Sequence, residues 1–166
     1  MTVPFEISQK IHQKKAQYGR YIDTKQWDKF DQVALPDADL TFLDTNGSLL
    51  SIGNKALAFQ TPKQFTNFFR RFFANAQTLH MFGPGDLQQT GVDEVKAIWS
   101  MEDQIIMKYT GGLAEIRGGG FYFETWKLKD GDWFLQSLRL ERTYTKISLL
   151  ARVLDLLQTY LRIPLF

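Results

Sequence analysis

An α+β fold, with helices laid on one face of a sheet, is what the order of periodicities along the chain predicts. Apolar residues first recur at helical spacing, the second half alternates with period two, and a helix marked three ways at its start stands between them. At 166 residues the chain fits one domain better than two.

Ile7, Ile11, Tyr18 and Ile22, separated by lysines and glutamines, predict a first helix from Glu6 to Ile22. Asp23 or Thr24 is placed to cap a second helix carrying Trp27, Phe30 and Val33, with Gln26 three residues after Asp23 as a capping box asks. Leu35-Pro36-Asp37 ends it. Leu40–Leu43 reads as a short strand, Asn46-Gly47 as a hairpin turn and Leu49–Ile52 as the returning strand. Thr61 as N-cap, Pro62 as first helical residue and Gln64 as capping-box partner open a helix with an apolar face of Phe65, Phe68, Phe69, Phe72 and Phe73.

From Thr78 the period is two. Leu79–Phe82 is a strand that Gly83-Pro84-Gly85 breaks, and Val92–Met107 is a long strand in which Val95, Ala97, Trp99 and Met101 alternate with Lys96, Ile98 and Ser100. After a turn through Gly111-Gly112, Phe121–Leu128 and Trp133–Arg142 form a hairpin. The tail, Ile147–Ile163, is helical again, with Pro164 as its stop and a polar stripe of Ser148, Arg152, Asp155, Thr159 and Arg162. It divides the chain into a domain over 1–146 and an amphipathic helix over 147–166, which caps the domain or pairs with a second subunit; a membrane surface is the weaker alternative, because the stripe is poor in cations.

Hydrophobic residues make up 44% and charged residues 23%, the balance of a globular protein and not of a disordered one. A net charge of +2 with scattered basic residues excludes a nucleic-acid footprint. With no cysteine, disulfides, thiolate metal sites and cysteine nucleophiles drop out together, and two distant histidines make no zinc site. Gly118-Gly119-Gly120 lacks the Lys-Ser/Thr and the helix of a phosphate loop. Neither a signal peptide over Met1–Lys10 nor a bilayer-spanning segment is read, so the expected setting is cytoplasmic, without stable membrane insertion. The 14 phenylalanines and 4 tryptophans exceed what a small core asks for and suit an apolar pocket as well.

Four segments resemble the SnoaL-like proteins of the nuclear-transport-factor-2-like superfamily. Tyr21-Ile22-Asp23-Thr24-Lys25-Gln26-Trp27-Asp28 is similar to their first-helix motif, and Leu79-His80-Met81-Phe82-Gly83 to their histidine-bearing strand. Gly118–Trp126 resembles their glycine-rich strand and Trp133–Tyr144 their closing strand. The likeness is greatest to fungal SnoaL-like proteins of secondary metabolism and more distant to scytalone dehydratase-like proteins. It implies a cone: a curved, mixed or antiparallel sheet around a cavity, covered by the N-terminal helices, with the C-terminal helix added. The activity implied is that of a cofactor-free lyase, isomerase or cyclase acting on an apolar polyketide- or terpenoid-like intermediate. A non-catalytic binding or dimerisation module of the same fold is the alternative. A small apolar substrate and a homodimer are the partners implied, and no metal or cofactor.

The resemblance carries an acid–base pair onto Asp23 and His80, with a carboxylate orienting an imidazole. Each residue also has a plainer reading, Asp23 as a helix cap and His80 as a structural strand histidine. Tyr21, Tyr109 and Tyr122 are the phenols able to polarise a substrate oxygen. Trp27, Phe68, Phe72, Trp99 and Phe123 are candidate walls, although each also suits core packing. Glu124 shares a strand face with Tyr122 and is either a cavity acid or the cross-strand partner of Arg139. His12, among Lys10, Lys14 and Lys15, is expected to be solvated. Where relatives often have histidines in the glycine-rich strand, this chain has Phe121 and Phe123, which implies a thinner acid–base set.

Overall fold

A computed structural model describes residues 2–161. The first helix, α1 (Phe5–Asp23), buries Ile11, Tyr18 and Ile22 as its spacing demands. Thr24 Oγ1 turns back onto the Arg20 carbonyl at 2.6 Å, and Lys25 takes the left-handed conformation (φ 60°), which stops the helix. The expected second helix is a short 3₁₀ segment, Trp27–Gln32, and the chain is already extended at Ala34. Its N-cap is Gln26, and no side chain caps it, Asp23 included.

Strand β1 (Ala34–Leu43) therefore begins well before Leu40 and passes through Pro36. Pro36 falls between Ala34 and Asp39, where the pairing with the neighbouring strand is irregular, so no ladder N–H is missed. The Asn46-Gly47 turn forms, with Gly47 N donating to the Asp44 carbonyl at 2.9 Å. The return is shorter than the expected hairpin: Leu49 bridges to Leu43 and Leu50 N donates to the Phe42 carbonyl at 2.9 Å, whereas β2 (Ser51–Ile52) pairs with β3 (Lys55–Ala56) in a small sheet of its own. Strand β4 (Ala58–Phe59) leads into α2 (Pro62–Phe72), where Thr61 Oγ1 accepts from Gln64 N. The Gln64 side chain accepts from Gln60 N, one residue earlier than a capping box would place it.

Strand β5 (Ala76–Gln89) is not broken at Gly83-Pro84-Gly85. It bulges there, between Phe82 and Gly85, and as the edge strand it tolerates a proline. Strands β6 (Glu94–Met107), β7 (Glu115–Lys129) and β8 (Asp132–Ile147) complete a six-stranded sheet in the order β4-β1-β8-β7-β6-β5, antiparallel except for β1 with β8. Positive φ at Asp130 and Gly131 closes the two-residue turn between β7 and β8. The glycine run lies inside β7, which starts at Glu115 and not at Phe121. Helix α3 (Leu149–Leu161) follows, capped by Ser148 Oγ, which accepts from Ala151 N at 3.4 Å. The expected stop at Pro164, with Arg162 and Ile163, lies outside the described residues, and no described helix is long and apolar enough to cross a membrane.

The helices pack on the concave face, where the aromatic excess finds its place. Phe30, Phe42, Phe59, Phe65 and Phe69 form a cluster of tilted, stacked and edge-on rings with centroids 4.8–6.3 Å apart. Lys14 and Lys15 of α1, neighbours of His12, are buried. Lys15 stands at the spacing of Ile11, Tyr18 and Ile22 and so points inward. Its Nζ donates to Glu124 Oε1 at 2.5 Å and sits 3.8 Å over the Tyr122 ring. Glu124 Oε2 accepts from the indoles of Trp99 (2.7 Å) and Trp126 (3.0 Å). Burial pushes the Lys15 ammonium below its ordinary value, and Glu124 opposes that shift.

Removing one partner of such a pair strands the other. Lys15→Met is expected to cost about 3–5 kcal/mol in urea denaturation. Adding Glu124→Gln, whose amide oxygen still accepts from the indoles, should recover part of that loss; a double variant as unstable as the single one would refute the pairing.

Candidate active site

Between the concave sheet and the helices lies a cavity of about 530 Å³. Its walls are apolar, from Phe42, Phe69, Phe72, Ile105, Met107 and Leu140, and the β2–β3 turn and α3 stand at its mouth through Ile52, Ala151, Arg152 and Leu156.

One polar row crosses this apolar surface. His80 on β5 lies directly opposite Asp103 on β6, and Asp103 opposite Gly118 on β7. Gly118 has no side chain, and a Cβ there would run into the Arg142 guanidinium. Through that gap Arg142, from β8, reaches Asp103 with two parallel hydrogen bonds, Nη1 to Oδ1 at 3.1 Å and Nη2 to Oδ2 at 2.6 Å. A Cβ on the next inward position, Gly120, would strike the Glu141 carbonyl, so the bulge between Gly119 and Gly120 also requires glycine.

At the other end of the row Asp23, the last residue of α1, spends both carboxylate oxygens on His80. Oδ2 accepts from the backbone N at 2.8 Å and Oδ1 meets ring Nδ1 at 2.7 Å. A carboxylate only accepts, so the Nδ1 proton belongs to the ring, and in the neutral ring Nε2 is the nitrogen that carries the free lone pair. Burial pushes the Asp23 carboxyl up, but the hydrogen bonds and charge of His80 outweigh it and hold the group below its usual range. Burial likewise opposes the Arg142 charge, and Asp103 more than offsets it, leaving the guanidinium raised. Burial drives the Tyr122 phenol well above its ordinary value, so it stays a neutral donor. The arrangement holds a lone pair on an oriented imidazole, N–H donors and a phenol against dry walls, the parts that proton transfer at carbon needs. Among the described residues, no group of three or more His, Cys, Asp or Glu side chains is placed to hold a metal ion.

Of the residues expected at the site, His80, Tyr122 and Phe72 line the cavity and Asp23 stands behind His80. The others lie elsewhere. Tyr21 gives its hydroxyl to Gln32, Trp27 stacks behind the wall on Phe73, and Phe68 packs against Phe59 and Phe72. Trp99 and Glu124 lie beneath Tyr122, committed to Lys15 and to each other; Arg139 is not the Glu124 partner but pairs with Glu141. Phe123 is on the convex face under Arg139, since strand parity sends it away from Tyr122. Tyr109 is 94% exposed in the β6–β7 turn. His12 is half-buried, edge-on to Trp99, with Nδ1 on the Ser8 carbonyl at 2.7 Å, and is not simply solvated. Phe121 also points outward, so the missing histidines of that strand do not thin this cavity.

Asp103, Arg142 and Tyr18 line the cavity and were not expected there. Asp103 had a signal: it continues the inward parity of Val95, Ala97, Trp99 and Met101, where a carboxylate is out of place. Arg142 similarly follows Leu138 and Leu140.

Fold and site thus define a curved-sheet cone holding an Asp–His pair in an apolar cavity. The SnoaL-like domain family matches residues 5–139, and the chain belongs to that family. It is 40% identical over 147 residues to the "Probable cyclase FGR4" of Gibberella zeae, a match spanning 89% of this chain and 98% of that protein. The Kfla4162 protein of Kribbella flavida shares the fold at TM-score 0.74 and 16% identity, over 89% of this chain and 97% of that one. A putative scytalone dehydratase of Novosphingobium aromaticivorans does so at TM-score 0.67 and 14% identity, over 83% and 85% of the two chains.

Because the Asp23 carboxyl is held low in the folded state, its contribution to stability is present above its unfolded value and lost as pH falls through the folded one. Asp23→Asn should therefore cost roughly 2 kcal/mol at neutral pH. The gap to the parent protein should close as pH drops below about 4. A pH-independent gap in denaturation midpoints would contradict the assignment.

Proposed function

We propose that the chain is a cofactor-free cyclase or isomerase of an apolar, polyketide- or terpenoid-like carbonyl intermediate, working by proton transfer at carbon. The observation that carries this reading is the Asp23–His80 pair at the cavity wall, which leaves Nε2 as an oriented base. His80 removes a proton from carbon and returns it to oxygen or carbon later in the same turnover; Asp23 holds the tautomer and stabilises the imidazolium that forms. The apolar walls exclude water and hold a flexible chain folded upon itself, which is what ring closure requires beyond the proton step. Near-complete coverage of a relative named a probable cyclase supports ring closure over elimination.

β-Tetralone, an apolar ketone with acidic C–H bonds, tests the base directly. In heavy water the protein should catalyse deuterium incorporation next to the carbonyl, read by mass spectrometry, and His80→Ala should slow it by about 10²–10⁴. Equal incorporation by both proteins, or none by the parent, would leave the non-catalytic binding module as the reading.

The same reading includes a homodimer. Leu79, Met81, Ile98 and Phe121 expose apolar surface on the convex face of the sheet. Sedimentation is expected to show two copies, with Met81→Glu plus Phe121→Glu shifting the mass to one; a monomeric parent protein would end this part of the proposal.

A further inference from the structure

We infer that Arg142 holds a carbonyl oxygen of the substrate, so that the ligand is an apolar ketone whose oxygen meets the guanidinium while the adjoining C–H meets His80 Nε2. The inference rests on the acid–base reading above and adds the second pole of the site.

A guanidinium has five N–H donors. Asp103 takes one from each Nη, and Met101 Sδ lies 3.7 Å from Nη1, a weak contact. Nε has no partner among the described residues, although it is buried, and neither has Thr145 Oγ1 nearby in the cavity lining. A buried donor without an acceptor is costly, and a ligand oxygen would remove that cost. Nε–H and the second Nη2–H lie on one edge of the guanidinium, the edge Asp103 does not use. Asp103 already balances the positive charge, so the pair offers donors without net charge. That suits a carbonyl oxygen that enters neutral and gains negative charge during reaction.

The row sets the spacing. His80 on β5 and the guanidinium over Gly118 on β7 are two strands apart, and each strand spacing is about 4.8 Å. An O=C–C–H unit lying along the row would turn its oxygen to the guanidinium and its C–H to the imidazole. In the step, Nε2 takes the proton, the C–H electron pair forms a carbon–carbon double bond, and the carbonyl pair moves onto the oxygen held by Arg142. When the enolate carbon then bonds to an electrophilic carbon of the same molecule, the Nε2 proton passes to the acceptor oxygen. No atom is lost and nothing is oxidised. Asp103 is a positioning residue, holding the guanidinium in place.

β-Naphthol serves as the probe, since its anion resembles an enolate, and naphthalene is the control without oxygen. Absorbance and fluorescence titration against pH read the ionised fraction of bound naphthol. The parent protein should favour the bound anion, and Arg142→Gln should weaken anion binding about ten- to a hundredfold while naphthalene binds unchanged. The double variant Asp103→Asn, Arg142→Gln leaves no unpaired buried carboxylate and should show the same loss if the single variant is unstable. His80→Ala and Tyr122→Phe should keep the preference. An anion preference that survives both Arg142 variants, one lost in Tyr122→Phe, or no binding of naphthol to the parent protein would overturn the inference. Loss of the preference in Arg142→Gln together with unchanged deuterium exchange in His80→Ala would instead retain the Arg142 site and refute the base.

Discussion

The ammonium of Lys15, buried under the first helix, constrains everything packed around it. A charge out of water needs an opposite charge and satisfied hydrogen bonds, or it shifts and destabilises the fold. Glu124 supplies the charge from the middle of β7, and two indoles occupy its other oxygen. Four side chains from a helix and two strands thereby meet at one point, and α1 cannot rotate or slide without separating them. Apolar packing alone would be less exacting, because a stripe of isoleucine and tyrosine tolerates small displacements.

Lys15 stands in the middle of a series of polar tethers along α1. Lys14 reaches the Gln32 carbonyl and Asp132 on one side, and Asp23 reaches His80 at the end of the helix. The middle tether sets the rotation of the helix, and the last sets where its terminal carboxylate falls. The Asp–His geometry is therefore a product of helix docking. It does not depend on a loop, and the backbone N of His80 as well as its ring accepts the same constraint. An Asp–His pair held by rigid elements on both sides stays aligned without help from a ligand.

Much of this was legible in the sequence. Alternation gave the long strands, Thr61-Pro62 gave α2, and the Asp23 and His80 motifs, met through a family resemblance, pointed to two residues that do touch. What was missed has a common physical cause. Lys15, Asp103 and Arg142 are charged residues at inward-facing positions, and a reading that sends charge to the surface passes over them. Their spacing was the available signal: each continues an apolar series at helical or strand period. The misplacement of Phe123 beside Tyr122 has the opposite cause, aromaticity being allowed to override parity. Pro36 was read as the end of a helix and Pro84 as a break in a strand, yet each lies within a strand, where the ladder is irregular or has an edge and no donor is needed.

Rigidity is unevenly distributed around the cavity, and that bears on how a ligand enters. The deep end is made of the aromatic cluster, with the Lys15–Glu124 pair behind Tyr122, and opening it would expose charge and large apolar area. The mouth is made of two-residue strands and α3, whose Leu149, Val153, Leu156 and Tyr160 remain substantially exposed. The hydrogen bond from Gly53 N to Asp155 Oδ1, at 3.3 Å, links these two parts of the mouth. Segments that bury little apolar surface open at lower free energy than the core. Opening there would leave the Asp23–His80 pair, between α1 and β5, and the Asp103–Arg142 pair, between β6 and β8, undisturbed.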